Sequence, residues 1–512
     1  MKNLLLSFTL LGLSLTGFAQ TRYVDDVFSR SDVVMTPNVP FGQNFYFLSF
    51  PPAPQGSSSS NPLLGDLYMD MYTPPATDVA TDRPLVIMFH TGSFLPKYIN
   101  GSYSGNNKDS ALVEICMRMA MKGYVVAAPL YRLGWNPFAQ TQIERTAGIL
   151  NAVYRAIHDA QTAVRFFKKE ATTYKIHPGK IILIGQGSGG YITLAYGTLN
   201  RQEETALPKF LLPDGNSVIN DTLVGSVNGT GGLVNNYNHP GYENYVSMVA
   251  NLGGAIGDIS WMQGDWQEPP VAAIHASRDI YAPFDSGVVI VPTTGQPVVF
   301  VQGSRAVVKR ANELNNNSIW QNHTFTDPIS QRAYALNPKA QYEGLFQIDR
   351  AEIPGPLEDT SPWEWWDTAA VSAEAALYGQ SGPTINANGL AGNPDMSKAK
   401  AMTYLDTIVG FLIPRMKLVL DNPTLNNEPI NNFVIQHSSF PNPSESFMNL
   451  RVHPGNSISK VRVLSMNGVE ISKADVQPTS YVVLERNGLP SGLYLVELTT
   501  AMGVVTDRIQ WK

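Results

Sequence analysis

Six residues, Gly185-Gln186-Gly187-Ser188-Gly189-Gly190, follow the apolar run 181–184. A strand that breaks sharply into a helix can hold one residue out at the bend, and a serine held there serves as an acyl-transfer nucleophile. The bend is tight enough that the positions two before and two after it admit only small side chains. Counted from the preceding run, the bend falls on Gly187, with Gly185 and Gly189 as the small flankers. Glycine takes the strained backbone readily but carries no nucleophile. Moving the register by one residue makes Ser188 central, yet Gln186 then occupies a position that wants glycine or alanine. The first register fits better. A plain strand-to-helix turn, without chemistry, stays open beside both.

Other groups with chemical potential are weaker. Asn228-Gly229-Thr230-Gly231-Gly232 and Gly253-Gly254-Ala255-Ile256-Gly257-Asp258 are glycine-rich but lack the lysine and helix context of a phosphate loop. The single cysteine, Cys116, lies in an apolar helical run and reads as a small buried side chain. One cysteine excludes intrachain disulfides and thiolate-held metals, no His/Asp/Glu spacing looks like a metal site, and no cofactor is expected. Trp261, Trp266, Trp320, Trp363, Trp365 and Trp366 could line an aromatic groove for a glycan or other polymer, although core packing is the more usual fate of such residues. With 36 Lys+Arg against 42 Asp+Glu, a net charge of −6 and no basic cluster, nucleic acid is excluded as a partner. At 43% hydrophobic residues the chain of 512 can build a large core, and its length predicts two or three domains.

The elements that must position the glycine turn alternate between strand and helix. Strands are expected at 67–72, 84–89, 124–128, 181–184, 271–275 and 344–348. Helices are expected at 111–122, 146–169, 190–196 and 401–420, the last kinked or ended near Pro414. This order predicts an α/β fold, a mostly parallel central sheet covered by helices on both faces. Ser57 to Ser60 reads as a surface loop.

Several segments in this order resemble carboxylesterase-type α/β-hydrolases. His90-Thr91-Gly92-Ser93-Phe94 is similar to the His-Gly-Gly-x-Phe oxyanion loop, and Gly123-Tyr124-Val125-Val126 with Tyr131-Arg132-Leu133-Gly134 to the next strand and its exit. His158-Asp159-Ala160 with Val164-Arg165-Phe166 resembles the helix before the nucleophile, residues 180–191 the nucleophile elbow, and Ile274 to Asp279 the strand end that presents the acid. The resemblance implies Asp279 as the orienting acid, and Thr91 and Gly92 as part of the oxyanion loop. A histidine should follow the acid, in the loop after strand 344–348. None lies between His323 and His437; that loop holds Glu358, Asp359 and Trp363 instead, and His323 fits a structural role. Serine and histidine act as a unit, so losing one leaves the other little to do.

The two ends carry an address. Lys2, the apolar stretch 4–15 and Gly17-Phe18-Ala19 predict a secretory signal peptide over residues 1–19. No later apolar run reaches the roughly 18 residues of a membrane span. The hydrolase-like domain is expected over 20–420 and a linker over 421–432, where Pro and Asn dominate. Residues 433–512 predict a small antiparallel β-sandwich, with strands at 448–452, 460–465, 480–485, 494–499 and 504–510. Phe440-Pro441-Asn442-Pro443, Val461-Arg462-Val463-Leu464 before Asn467-Gly468, Leu489-Pro490-Ser491-Gly492-Leu493-Tyr494 and the closing Arg508-Ile509-Gln510-Trp511-Lys512 resemble the sorting domain of type IX secretion in Bacteroidetes. That resemblance implies export across the outer membrane, with the secretion machinery as a partner, and a secreted or cell-surface location.

Two functions follow from these residues. One is a secreted ester hydrolase with an unusual catalytic set, Ser188 and Asp279, acting on a small ester. The other is a non-catalytic member of the fold kept for binding or for a structural role at the cell surface.

Overall fold

The computed structural model describes residues 21–512 apart from 266, 292–293, 351–358, 423–436, 441, 453–456, 467 and 501–502. The expected signal peptide, most of the expected linker, Glu358 and Trp266 lie outside the described residues.

Eight strands form the main sheet: β1 (Val34–Tyr46), β2 (Leu63–Thr73), β3 (Arg83–Phe89), β4 (Val125–Pro129), β5 (Ile176–Gln186), β6 (Met248–Leu252), β7 (Val271–Ala276) and β8 (Leu345–Ile348), in the spatial order β1-β2-β4-β3-β5-β6-β7-β8. The first two pairings, β1 with β2 and β2 with β4, are antiparallel, and from β4 to β8 the sheet is parallel. Strands β3 and β6 are buried along their whole length, which explains their near-continuous apolar sequence.

Helices α1 (Ser110–Met121), α2 (Gln142–Lys169), α3 (Ser188–Thr198), α4 (Ser304–Glu313), α5 (Thr368–Leu377), α6 (Gly382–Gly392) and α7 (Lys398–Asp421) complete the domain. Successive residues of β3 point to opposite faces. Leu85, Ile87 and Phe89 join a core with Ala160, Val164 and Phe167 of α2 and Ile192 and Leu194 of α3. Val86 and Met88 join another with Leu112, Ile115 and Met119 of α1 and Leu405, Ile408 and Leu412 of α7. The expected α/β-hydrolase architecture, a mostly parallel sheet between two helical layers, is what the chain adopts.

The differences have local causes. Helix α2 begins four residues before the expected Thr146, because Thr141 and Glu144 close a capping box: Glu144 N–H donates to Thr141 Oγ1 (3.3 Å) and Thr141 N–H to the Glu144 carboxylate (3.0 Å). Helix α7 does not end at Pro414 but continues to Asp421. Beyond the proline, the fully buried Arg415 guanidinium donates to Phe411 O (3.0 Å) and to Glu343 Oε1 (2.7 Å), tying the last turns to the sheet. Strand β1 was unexpected since Pro37 and Pro40 interrupt it; it is an edge strand with register shifts at 36/39 and 40/42, where proline is tolerated. A small antiparallel sheet of Ala255–Ile256, Pro297–Gly303 and Ser286–Ile290 packs beside α2.

The C-terminal part is all-β. Strands β9 (His437–Phe440), β10 (Phe447–Val452), β11 (Ile458–Ser465), β12 (Glu470–Thr479), β13 (Tyr481–Glu485), β14 (Gly492–Thr500) and β15 (Gly503–Trp511) make two antiparallel sheets, β9-β10-β13 and β12-β11-β14-β15. Met448, Leu450, Val463, Val496, Ile509 and Trp511 form their shared core. The sequence pattern missed β12, which is exposed along almost its whole length and so has no apolar alternation to read. Among the described residues, no helix is long and apolar enough to cross a membrane.

Candidate active site

Strand β5 ends at Gln186 and α3 begins at Ser188, so the whole change of direction falls on Gly187, with φ +53° and ψ −115°. Such a backbone is strained for any residue with a side chain. Gly187 N–H donates to Leu252 O (2.8 Å), which fastens the bend to β6. The flanking glycines are sterically required: a Cβ on Gly185 would run into the Gly189 carbonyl, and one on Gly189 into the Phe89 carbonyl. A Cβ on Gly187 itself would collide with Thr91 Oγ1 and sit 3.0 Å from Thr91 Cβ. The Thr91 side chain therefore occupies the space into which a residue at the bend would project.

Ser188 is the first residue of α3 and is buried. Its Oγ lies 2.9 Å from Tyr131 Oη. Tyr131 O–H also donates to His90 O (3.0 Å), so with the phenol proton committed there the serine hydroxyl is the donor toward the phenol. Burial holds the Tyr131 phenol well above its ordinary range, so it stays protonated and cannot serve as a base. His90 stacks on Tyr131 with ring centroids 4.2 Å apart. Its Nδ1 faces Thr91 O, and burial pushes the imidazole down to about 4, so the ring is neutral at pH 7. The loop then turns at Gly92 (φ +127°), which packs against Gly105 with no room for a side chain.

Asp279 follows β7. Its Oδ1 accepts from Tyr281 N–H (2.8 Å) and Ala282 N–H (3.1 Å), and its Oδ2 lies 3.2 Å from His275 Nε2. His275 is fully buried inside β7, and its Nδ1 accepts from Ser304 O–H (2.7 Å), whose oxygen in turn accepts from Asn251 Nδ2 (2.9 Å). This chain of bonds fixes the ring and, through it, the acid.

The loop after β8 brings no histidine among its described residues. Trp363, fully buried, and Asp279 Oδ2 both lie close to Gly253, and the Trp363 Nε1 has no hydrogen-bond partner among the described residues. Glu364 is buried beside the bend, accepting from Gln186 Nε2 and from Tyr103 O–H, and Tyr103 stacks on Trp366 at 3.7 Å. Burial, with the nearby Asp109 adding to it, pushes the Glu364 carboxyl up to about 8. Asp359, expected in this loop, pairs with Arg350 (3.4 Å) and does not line the cavity beside the bend. His323 is exposed and sits edge-on to Phe325 (4.6 Å), also away from it.

These groups open on one cavity of about 390 Å³. Thr91, Gly92, Gly187, Ser188, Asp279 and Glu364 border its polar end, while Ile149, Leu150 and Val153 of α2, Trp261, and Val289, Val298 and Val301 of the small sheet line an apolar arm. Gly189 serves packing and does not reach the cavity. Of the tryptophans considered for an aromatic groove, Trp320 and Trp363 are fully buried and Trp261 lines the cavity. Among the described residues no cluster suits a metal ion. Sequence reasoning missed Glu364, Gln186, Tyr103, Tyr131 and His275 as neighbours of the site. Only His275, four residues before Asp279, had a spacing that could have drawn notice.

Comparison with known families agrees with this fold. Residues 69–224 match the BD-FAE family, and residues 438–512 match the secretion system C-terminal sorting domain. An esterase-like α/β-hydrolase domain thus precedes a type IX sorting domain. The protein is accordingly exported, to the cell surface or beyond it. Similar solved structures include esterase 2 of the planctomycete Thermogutta terrifontis with butyrate bound (15% identity, TM-score 0.27, covering 43% of this chain and 70% of that one). The same esterase phosphonylated by cyclosarin gives 16% identity and a TM-score of 0.26, covering 43% and 69%. Likeness at that level bears on neither substrate nor mechanism. No curated protein matches the chain.

Proposed function

We propose that this exported, esterase-like protein binds a small apolar-tailed molecule in its cavity and does not hydrolyse esters by serine acyl transfer. The observation that carries this reading is the Thr91 side chain, which stands where a nucleophile on residue 187 would project. Two further contacts support it. Ser188 Oγ meets a phenol held in its protonated form, and near Asp279, at Gly253, the loop after β8 brings the Trp363 indole and no imidazole. Without an imidazole to take the serine proton and return it to the leaving group, the acid orients nothing. A cavity of about 390 Å³ falls in the roughly 300–1,000 Å³ range of small-molecule sites, which favours such a ligand over a polymer.

One observation favours the alternative, in which Ser188 is the nucleophile, Asp279 the orienting acid, and Thr91 and Gly92 part of the oxyanion loop: Ser188 borders the cavity. Hydrolysis of p-nitrophenyl acetate and butyrate by the purified protein, beside Ser188→Ala and Asp279→Asn, separates the two. We expect all three at the buffer rate. Turnover by the unaltered protein that disappears in both variants would establish the alternative.

A further inference from the structure

The charge of the cavity wall is one-sided. Of its lining residues only Asp279 and Glu364 carry ionisable acids, and among the described residues no lysine, arginine or histidine joins them. Lys97, the nearby cation, is engaged with Asp109 (3.5 Å) and does not line the cavity. Asp279 is the stronger of the two anchors. Its Oδ1 accepts from two backbone N–H groups, whereas among the described residues Oδ2 meets only His275 Nε2, and that nitrogen also faces Ala282 O at 3.1 Å. A carboxylate on a cavity wall that carries no cation favours a positive charge brought by a ligand. Aromatic side chains line the same cavity: Tyr103, Tyr191, Trp135 and Trp261. Such side chains attract a cation within about 6 Å of the ring.

We infer that the occupant is a cationic amphiphile, an alkyl- or arylammonium whose charge rests against Asp279 and whose tail fills the arm between α2 and the small sheet. This rests on the cavity being a binding site, as proposed above. A fatty or aromatic carboxylate of the same length would meet like charge at Asp279 and find no cation in the wall. Glu364, protonated at pH 7, adds a hydrogen-bonding group there rather than a second charge.

The test uses three ligands with one tail, decylammonium, decanol and decanoate, each below its micelle concentration, titrated into the full chain at pH 7 by calorimetry at two salt concentrations. We expect one saturable site with decylammonium about ten-fold tighter than decanol and decanoate weakest. Asp279→Asn should remove most of the preference for the ammonium while leaving decanol binding near its original strength; circular dichroism checks that the variant is folded. Asp285→Asn, which removes an exposed carboxylate outside the cavity, should keep the preference and so provides a second folded comparison. Decanoate binding as tightly as decylammonium, or a preference untouched in Asp279→Asn, overturns the inference and leaves the binding site standing. Failure of all three ligands to bind overturns the binding reading itself, and the charge inference with it.

Discussion

Thr91 and Gly187 are fitted to each other: the hydroxyl of one fills the space that any side chain on the other would need. Gly187→Ser, the substitution that would rebuild a nucleophile at the bend, should therefore destabilise the protein. Backbone strain at φ +53° and the clash with Thr91 each cost about 1–3 kcal/mol. Adding Thr91→Gly should return the clash part and leave the strain. Urea denaturation of the single and double variants reads both, and equal stability of the two would mean that Thr91 is not the obstacle.

Tyr131 holds Ser188 Oγ and the His90 carbonyl together. Tyr131→Phe should cost about 1–3 kcal/mol, because it leaves both buried oxygens short of a partner. Ser188→Ala removes one partner of a phenol that still has His90 O, and should cost about 1 kcal/mol. A larger loss from the serine variant in thermal denaturation would reverse the roles assigned here.

Glu364 makes stability depend on pH. Its folded pKa of about 8 lies above the ordinary 4.5, so between these values the folded chain keeps a proton that the unfolded chain has released. Stability from this group is complete below pH 4.5 and is lost as the pH rises through 8, by an amount on the order of 5 kcal/mol. Asp109, pushed up to about 6 by burial, adds a loss of the same sign over a lower window. Melting temperatures from pH 5 to 9 should fall in the unaltered protein and fall less in Glu364→Gln. Parallel curves would remove Glu364 as the source.

Two buried ion pairs tie elements of the hydrolase-like domain together. Arg132 Nε meets Asp159 at 2.8 Å, and its other nitrogens donate to Phe45 O and Arg155 O, holding the segment after β4 against α2. Arg415 meets Glu343 at 2.7 Å, holding α7 to the start of β8. Arg132→Ala and Arg415→Ala should each cost about 3–5 kcal/mol, since each leaves a carboxylate buried without its cation. Denaturant midpoints check this.

Much of this fold could be read from residue patterns. Strands β3 and β5 announced themselves as apolar runs, and the glycines at 185, 187 and 189 fixed the bend because only one register spares every flanking position a side chain. Periodicity could not reveal β1, interrupted by Pro37 and Pro40, or β12, exposed nearly throughout. The site was legible only in part. That Thr91 stands at a glycine of the family motif is visible in the sequence, but that its hydroxyl fills the space at Gly187 depends on how two loops meet. Glu364 sits in an aromatic-rich segment with no motif of its own, its carboxyl is raised by burial with Asp109 adding to it, and its hydrogen-bond partners Tyr103 and Gln186 lie 261 and 178 residues away along the chain.

The hairpin that walls the apolar arm ends at Gly303, and the next residue is Ser304, whose hydroxyl steadies His275 and thereby Asp279. Wall and acid thus share one covalent lever. Val298 and Val301 of the arm stand on the strand that runs straight into the first turn of α4, so the arm's lining and the acid's support are built on one continuous segment.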